Sequence, residues 1–219
     1  ALLGNDLATF PDFPAEIRAP LGTVAGVSGF QVHIGNTEIN TPGDVADVLV
    51  AMNPAALKAN KNWIKKGGTI IINSDSFAKK DLDKAGYENN PLEDGSFSGF
   101  NIVEAPIANL TQETLKDSGL DGKSIRRAKN MFALGMVYWM FNRPMERTKK
   151  FLQDKFESKP LVVESNIKVL HAGYNFANTI EALPSSYTVT KAKIENGTYR
   201  NIMGNQAKIA ILIKLIKTK

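Results

Sequence analysis

The sequence predicts an α/β layered domain built on a mixed β-sheet. Three observations carry that expectation. Residues 47–73 read as strand, helix, strand within thirty residues. GFQVHIG (29–35) alternates apolar and polar side chains, as a half-buried strand does. After residue 122 the chain holds segments long and apolar enough for core helices.

From the N-terminus, FPDFPAEIRAP (10–20) sets three prolines around Glu16 and Arg18. Each proline fixes its own φ, donates no hydrogen bond and pushes its predecessor towards an extended shape. The stretch suits neither a helix nor a central strand, and reads as a stiff loop anchored by Phe10 and Phe13. If extended, it puts Glu16 and Arg18 on the same side, close enough to pair. In GFQVHIG, Phe30, Val32 and Ile34 share one face and Gln31 and His33 the other. His33 is expected as an ordinary polar-face residue, with an antiparallel neighbour beside the strand.

DVLVAM (47–52) is continuously apolar, the pattern of a strand covered on both faces. Asn53 and Pro54 then suit the N-cap and first position of a helix, AALKANKNWIK, which Gly67-Gly68 should end. TIIIN (69–73) is the next strand, and so short a unit calls for a parallel crossover. Residues 74–99 read as a loop with a short helix near Phe77 to Lys84, and FNIVEAP as a strand stopped by Pro106. A buried helix follows over 122–144, its first turns basic at Arg126, Arg127 and Lys129. Pro144 can open the next helix, with Phe151, Leu152 and Phe156 as one buried stripe. A last helix over 165–183 has Ser165 as its cap and His171 inside it as a packed or surface residue. Beyond Pro184 the chain turns polar and reads as a linker leaving the domain.

With 219 residues, 43% hydrophobic and 22% charged, the chain is long enough for one substantial core. It has no cysteine, so neither disulfides nor thiolate ligation of zinc or iron–sulfur clusters is open to it. The two histidines are not in a metal-ligand spacing, and no metal site is expected. The net charge of +5 owes most to the last twelve residues, KIAILIKLIKTK, which hold four lysines and no acid. Removing those lysines leaves 23 basic residues against 22 acidic, too even for a phosphate-binding surface. No nucleic-acid partner is expected. The same tail has apolar residues on nearly every side, a poor polar face for a membrane-surface helix, so no membrane partner is expected either. With no leader or spanning run in view, the cytoplasm is the expected location.

Neither G-x-G-x-x-G nor a P-loop occurs. GVSG (26–29) lacks the spacing of a nucleophile elbow and has no evident His/Asp partners. Chemistry is therefore not legible in the motifs themselves.

Six blocks do resemble a known family. FPDFPAEIRAPLGTVAGVSGFQVHIG, DVADVLVAMNPAAL and KKGGTIIINSD come first, then RRAKNMFALGMVYWMF, ESNIKVLHAGYNFA and YRNIMGNQA. Their order and spacing over about residues 2–207 are similar to the gamma domain of 2-oxoacid:ferredoxin oxidoreductases. More narrowly, they resemble the alpha subunit of the 2-oxoglutarate-type enzymes, where that domain is N-terminal.

The resemblance implies a three-layer α/β/α gamma-domain fold with a mixed sheet, its first family strand missing. It implies a gamma-type domain over 1–183, and over 184–219 a linker with the truncated start of the thiamine-binding domain. The reaction implied is oxidative decarboxylation of a 2-oxo acid, 2-oxoglutarate above all, with CoA to acyl-CoA, CO2 and reduced ferredoxin. Thiamine diphosphate, magnesium and iron–sulfur clusters would lie on partner domains or subunits, none of them on this chain, with CoA as co-substrate. The implied partners are the remaining alpha-subunit domains, the beta subunit and, through the complex, ferredoxin. The chain alone would be inactive and carry no catalytic residue; the alternative is a non-catalytic assembly module. Glu16, Arg18 and Asn130 are the candidates to face a ligand or an interface, Arg18 by a bidentate grip on a carboxylate or phosphate.

Overall fold

A computed structural model describes residues 5–12, 27–180 and 186–193. Glu16 and Arg18 lie outside these residues. Within them, a three-stranded parallel sheet forms the centre, in the order β3 (Ala46–Ala51), β4 (Ile64–Asn73), β5 (Asn101–Ala105). A separate antiparallel hairpin joins β1 (Asp6–Asp12) to β2 (Gly29–Gly35). Parallel and antiparallel pairings thus occur in two distinct sheets.

The alternation of β4 divides the core. Ile71, with Val103 and Ala105 of β5, faces α3 (Ile107–Leu115), α4 (Gly122–Met140) and α6 (Pro160–Thr179). Ile70 and Ile72 face the other way, onto Leu57 of α1 (Pro54–Asn60) and Leu82 of α2 (Lys79–Lys84). Helices therefore cover both faces, giving the expected three layers.

The strand–helix–strand unit is present and parallel, with different boundaries. Asn53 caps α1, its Oδ1 accepting the Ala56 N–H at 2.8 Å. The helix stops at Asn60, passes through a 3-10 turn at Lys61–Trp63, and Ile64 already begins β4. The glycines do not separate helix from strand; they lie inside β4, where the pairing shifts from Ala46↔Ile64 to Val48↔Thr69. Gly67 has φ +74, and a Cβ on Gly68 would meet the Lys65 carbonyl at 2.8 Å. The irregularity needs glycine at both positions.

Helix α3 has no counterpart among the expected elements. Pro106 stands at its cap position without a side-chain bond. Its first N–H groups are met from the end of β4 instead: Ala108 donates to Asn73 Oδ1 at 3.3 Å and Asn109 to Asp75 Oδ2 at 2.8 Å. Helix α4 begins one residue after Asp121, which accepts the Ser124 N–H at 2.7 Å. In α5 (Glu146–Lys155) the expected stripe reduces to Leu152. Phe151 is 56% exposed, and Lys155 Nζ lies 5.2 Å from its ring centre. Helix α6 starts at Pro160, a turn and more before Ser165, which is buried mid-helix rather than capping. Proline at the first position supplies the start that Ser165 was expected to give.

Helices α4 and α6 cross at two glycines. A Cβ on Gly135 would lie 2.2 Å from the Leu170 carbonyl oxygen, and one on Gly173 would lie 2.0 Å from that of Phe132. Residues 186–193, on the stretch expected to leave the domain, lie against it. Tyr187 stacks on Phe141 with ring centres 5.0 Å apart and donates its N–H to the Met140 carbonyl at 2.6 Å. The buried Asn5 amide donates to the Thr190 carbonyl at 2.6 Å and accepts from Arg143 Nη1 at 2.6 Å.

Burial along β2 does not follow its alternation: Gln31 and Ile34 are half-buried and His33 is exposed. Gln31 Nε2 donates to the Pro42 and Gly43 carbonyls, both at 2.9 Å, and His33 Nδ1 lies 2.9 Å from the Thr41 carbonyl. Phe30 and Val32, expected on the covered face, are 63% and 51% exposed. The 41–43 loop takes the hydrogen bonds of the polar face, and Phe30 and Val32 stand exposed on the other.

Candidate functional site

In open α/β sheets, ligands sit in crevices beyond the carboxyl ends of the parallel strands. A crevice of about 280 Å³ lies at that end of β3. Val50 is the penultimate residue of β3 and Met52 follows the strand. Asn53 and Ala56 come from the cap and first turn of α1. Asn130 reaches it from α4, and Ser28 from the residue before β2.

Local sequence explains the geometry. The apolar run of β3 must be buried on both faces, so the chain turns sharply where Asn53-Pro54 opens α1. Asn53 Oδ1 is taken up by the cap, leaving its NH2 as a donor. The described lining is two amides, a hydroxyl, a thioether and two aliphatic groups, with no ionisable side chain. Such a wall can orient a neutral polar group or meet a neighbouring surface. At this volume it can bury only part of a cofactor-sized molecule.

Of the three candidates from sequence, the structure places Asn130 in this crevice. Arg126 and Arg127, one turn before it, are exposed. The Ser124 backbone N–H chiefly holds the Asp121 carboxyl below its ordinary value, with the Ser124 hydroxyl adding to it and Arg127 the smallest contributor. The basic start of α4 is thus a solvated helix end. Sequence reasoning missed Ser28, Met52 and Ala56 as site residues and took Asn53 for a cap alone. The strand–Asn–Pro–helix junction was the available signal, because it marks the carboxyl end of a parallel strand. Among the described residues no group of three or more His, Asp or Glu stands close enough to hold a metal ion. None of their helices is long and apolar enough to cross a membrane.

The fold and this crevice define an α/β domain with a polar, non-ionisable recess at a strand end. Over residues 1–176 the chain matches the pyruvate ferredoxin/flavodoxin oxidoreductase family, and it belongs to that family. It is 48% identical over 207 residues to the 2-oxoglutarate oxidoreductase subunit KorA of Mycobacterium tuberculosis, covering 94% of this chain and 32% of that subunit. A 2-oxoglutarate:ferredoxin oxidoreductase from Magnetococcus marinus, solved with 2-oxoglutarate, coenzyme A and succinyl-CoA bound, matches at a TM-score of 0.60 and 26% identity. That match covers 87% of this chain and 29% of the other. The gamma subunit of a keto/oxoacid ferredoxin oxidoreductase from Geobacter sulfurreducens has the same fold, at a TM-score of 0.50 and 18% identity over 80% of this chain and 82% of that one. The chain therefore spans about a third of the length of KorA and of the Magnetococcus chain.

Proposed function

We propose that the chain is the gamma-type domain of a 2-oxoglutarate:ferredoxin oxidoreductase. The observation that carries this reading is the 48% identity to KorA over 94% of the chain. The complete enzyme would oxidise a 2-oxo acid with CoA, release CO2 and acyl-CoA, and pass the electrons to ferredoxin. Thiamine diphosphate, magnesium and the iron–sulfur clusters would be held by the other alpha-subunit domains and the beta subunit, in the cytoplasm. A chain without cysteine has no thiolate to offer a cluster.

This domain would contribute one wall for CoA or for a neighbouring domain, through Asn130 and the crevice around it. Arg18 and Glu16 are proposed to present their charges from the proline-rich stretch. A recess of about 280 Å³ is too small to enclose CoA, so a second wall must come from elsewhere in the complex.

The test is co-expression with the remaining alpha-subunit domains and a beta subunit. The assay follows reduction of a viologen dye with 2-oxoglutarate and CoA. CoA-dependent reduction is expected, and Arg18→Ala should weaken CoA binding in calorimetry of the assembled complex. No reduction in an assembled complex sinks the enzyme reading. The second reading, a non-catalytic assembly module, draws on the absence of ionisable groups from the described lining. It expects neither Arg18→Ala nor Asn130→Ala to alter CoA binding or turnover.

A further inference from the structure

The chain holds two Asp-Gly pairs, Asp94-Gly95 and Asp121-Gly122. A glycine after aspartate leaves its peptide nitrogen open to the aspartate's own side-chain carbon, because no Cβ stands in the way. The two pairs share this chemistry and differ in setting.

Asp121 is the cap of α4, with φ −67 and ψ 155. Ser124 holds both of its carboxylate oxygens, Oδ1 by the N–H at 2.7 Å and Oδ2 by the hydroxyl at 3.2 Å. Gly122 is already the first residue of the helix. Closing a ring between them would rotate the peptide that starts the helix and take the cap apart.

Asp94 lies in the turns between α2 and β5, outside any helix or strand. Asp94, Gly95 and Ser96 are all exposed. Asp94 Oδ1 accepts the Ser96 N–H at 2.8 Å, which folds the side chain over the Gly95 peptide. Gly95 has φ +79, with open space around it. Among the described residues nothing accepts its N–H. On either side the turn is anchored: Phe97 is buried in the core on the α1 and α2 side of the sheet, and Leu92 packs against that core.

We propose that Asp94 is a site of spontaneous isoaspartate formation, and that its place in the α4 cap protects Asp121. The inference is independent of the oxidoreductase reading. The Gly95 nitrogen attacks the side-chain carboxyl carbon of Asp94. A carbon–nitrogen bond forms, a carbon–oxygen bond of the carboxyl breaks, and the hydroxyl leaves with the nitrogen's proton as water. The five-membered imide then takes up water at one of its two carbonyls. Opening at the side-chain carbonyl restores aspartate. Opening at the main-chain carbonyl leaves the backbone running through the former side chain, with the α-carboxylate free. Water is lost and regained, so the mass and the charge are unchanged. The turn between Leu92 and Phe97 becomes one backbone carbon longer.

The folded 219-residue chain is incubated in heavy-oxygen water, digested in ordinary water, and its peptides sequenced by electron-transfer fragmentation, which separates isoaspartate from aspartate. Each passage through the imide installs one heavy oxygen, so labelled isoaspartate reports ring closure and hydrolysis. It should accumulate at 94 at least about fivefold faster than at 121, the factor that a helix cap is worth. A parallel incubation in urea removes the cap, and the two sites should then convert at equal rates. Equal rates in the folded chain overturn the proposal, as does a folded chain without label at 94 when the urea sample acquires it. Asp94→Glu, which would need a six-membered ring, should lose the labelled product at 94; its persistence there overturns the proposal too.

Discussion

Replacing Gly173 by alanine tests the closest approach in the fold. Its new Cβ would lie 2.0 Å from the Phe132 carbonyl oxygen, 2.7 Å from the Phe132 carbonyl carbon and 2.9 Å from its Cα. All three obstacles are backbone atoms of α4, so no rotamer change relieves them. Ordinary carbon contacts begin near ~3.5 Å, and α4 and α6 must part by more than about 1 Å. That opening runs between Phe132 and Met136 on one helix and Val169 and Leu170 on the other, all fully buried or nearly so. Overpacking a core costs about 1–3 kcal/mol and sometimes more, and a backbone obstacle belongs at the upper end. Alanine returns about 1 kcal/mol in helix propensity. The net loss is about 2 kcal/mol, which lowers Tm by roughly 4–8 °C in a chain of this size. Differential scanning calorimetry measures it, with Gly99→Ala as the control: Gly99 has open space around it and should shift Tm little. Gly135→Ala meets the Leu170 carbonyl and Tyr174 nitrogen, and the double variant should cost less than the sum, because one separation serves both methyl groups. A Gly173→Ala melting point within 1 °C of wild type would refute the close crossing.

Asn53→Ala removes the cap of α1 and should cost about 1 kcal/mol, read as a lower urea midpoint with an unchanged m-value. The Asp6 carboxyl is held below its ordinary value of 3.8 by the Ile39 and Leu7 N–H groups. Its contribution is therefore complete above that value and lost as pH falls through the lower folded pKa. Amide exchange at Ile39 should accelerate only under those acid conditions, and Asp6→Asn should show the faster exchange already at pH 7. Burial pushes the Tyr87 phenol up to about 12. The unfolded phenol ionises first, so stability is unaffected by this group below pH 10 and falls as pH rises from 10 to about 12. In Tyr87→Phe, difference absorbance at 295 nm should lose the latest-titrating phenol. Thermal stability at pH 7 should hold or rise, because the hydroxyl is buried with no hydrogen-bond partner among the described residues.

The elements legible in the sequence were those whose signals are local. Asn53-Pro54 marked a helix start, and the apolar runs of β3 and β4 marked strands covered on both faces. Helix α3 escaped because Asn73 and Asp75, which receive its first N–H groups, lie more than thirty residues earlier. The early end of α1 escaped because Asn60 to Trp63 can continue a helix or tighten into a 3-10 turn, and the pairing of Ile64 with Ala46 decides between them. The alternation in β2 identified two faces without saying which is covered. Hydrophobicity alone turns Phe30 and Val32 inward; in the structure both are exposed, while Gln31 and His33 bond to the carbonyls of residues 41–43.

The crevice was less legible than the sheet for the same reason. Ser28, Met52, Asn53 and Asn130 belong to three stretches of chain that no motif links, and only tertiary packing around the end of β3 brings them together. Each has an ordinary local account: a residue before a strand, one after a strand, a helix cap, a polar position on a core helix. What makes them a set is that β3 ends in a turn where α4 passes close by. Substitution at Asn130 therefore carries more information than substitution at Asn53. Asn53 is bound to the stability of α1 through Ala56, so any change in ligand binding there is mixed with unfolding. Asn130 is exposed on α4 and caps no helix among the described residues, so its substitution reports on the crevice.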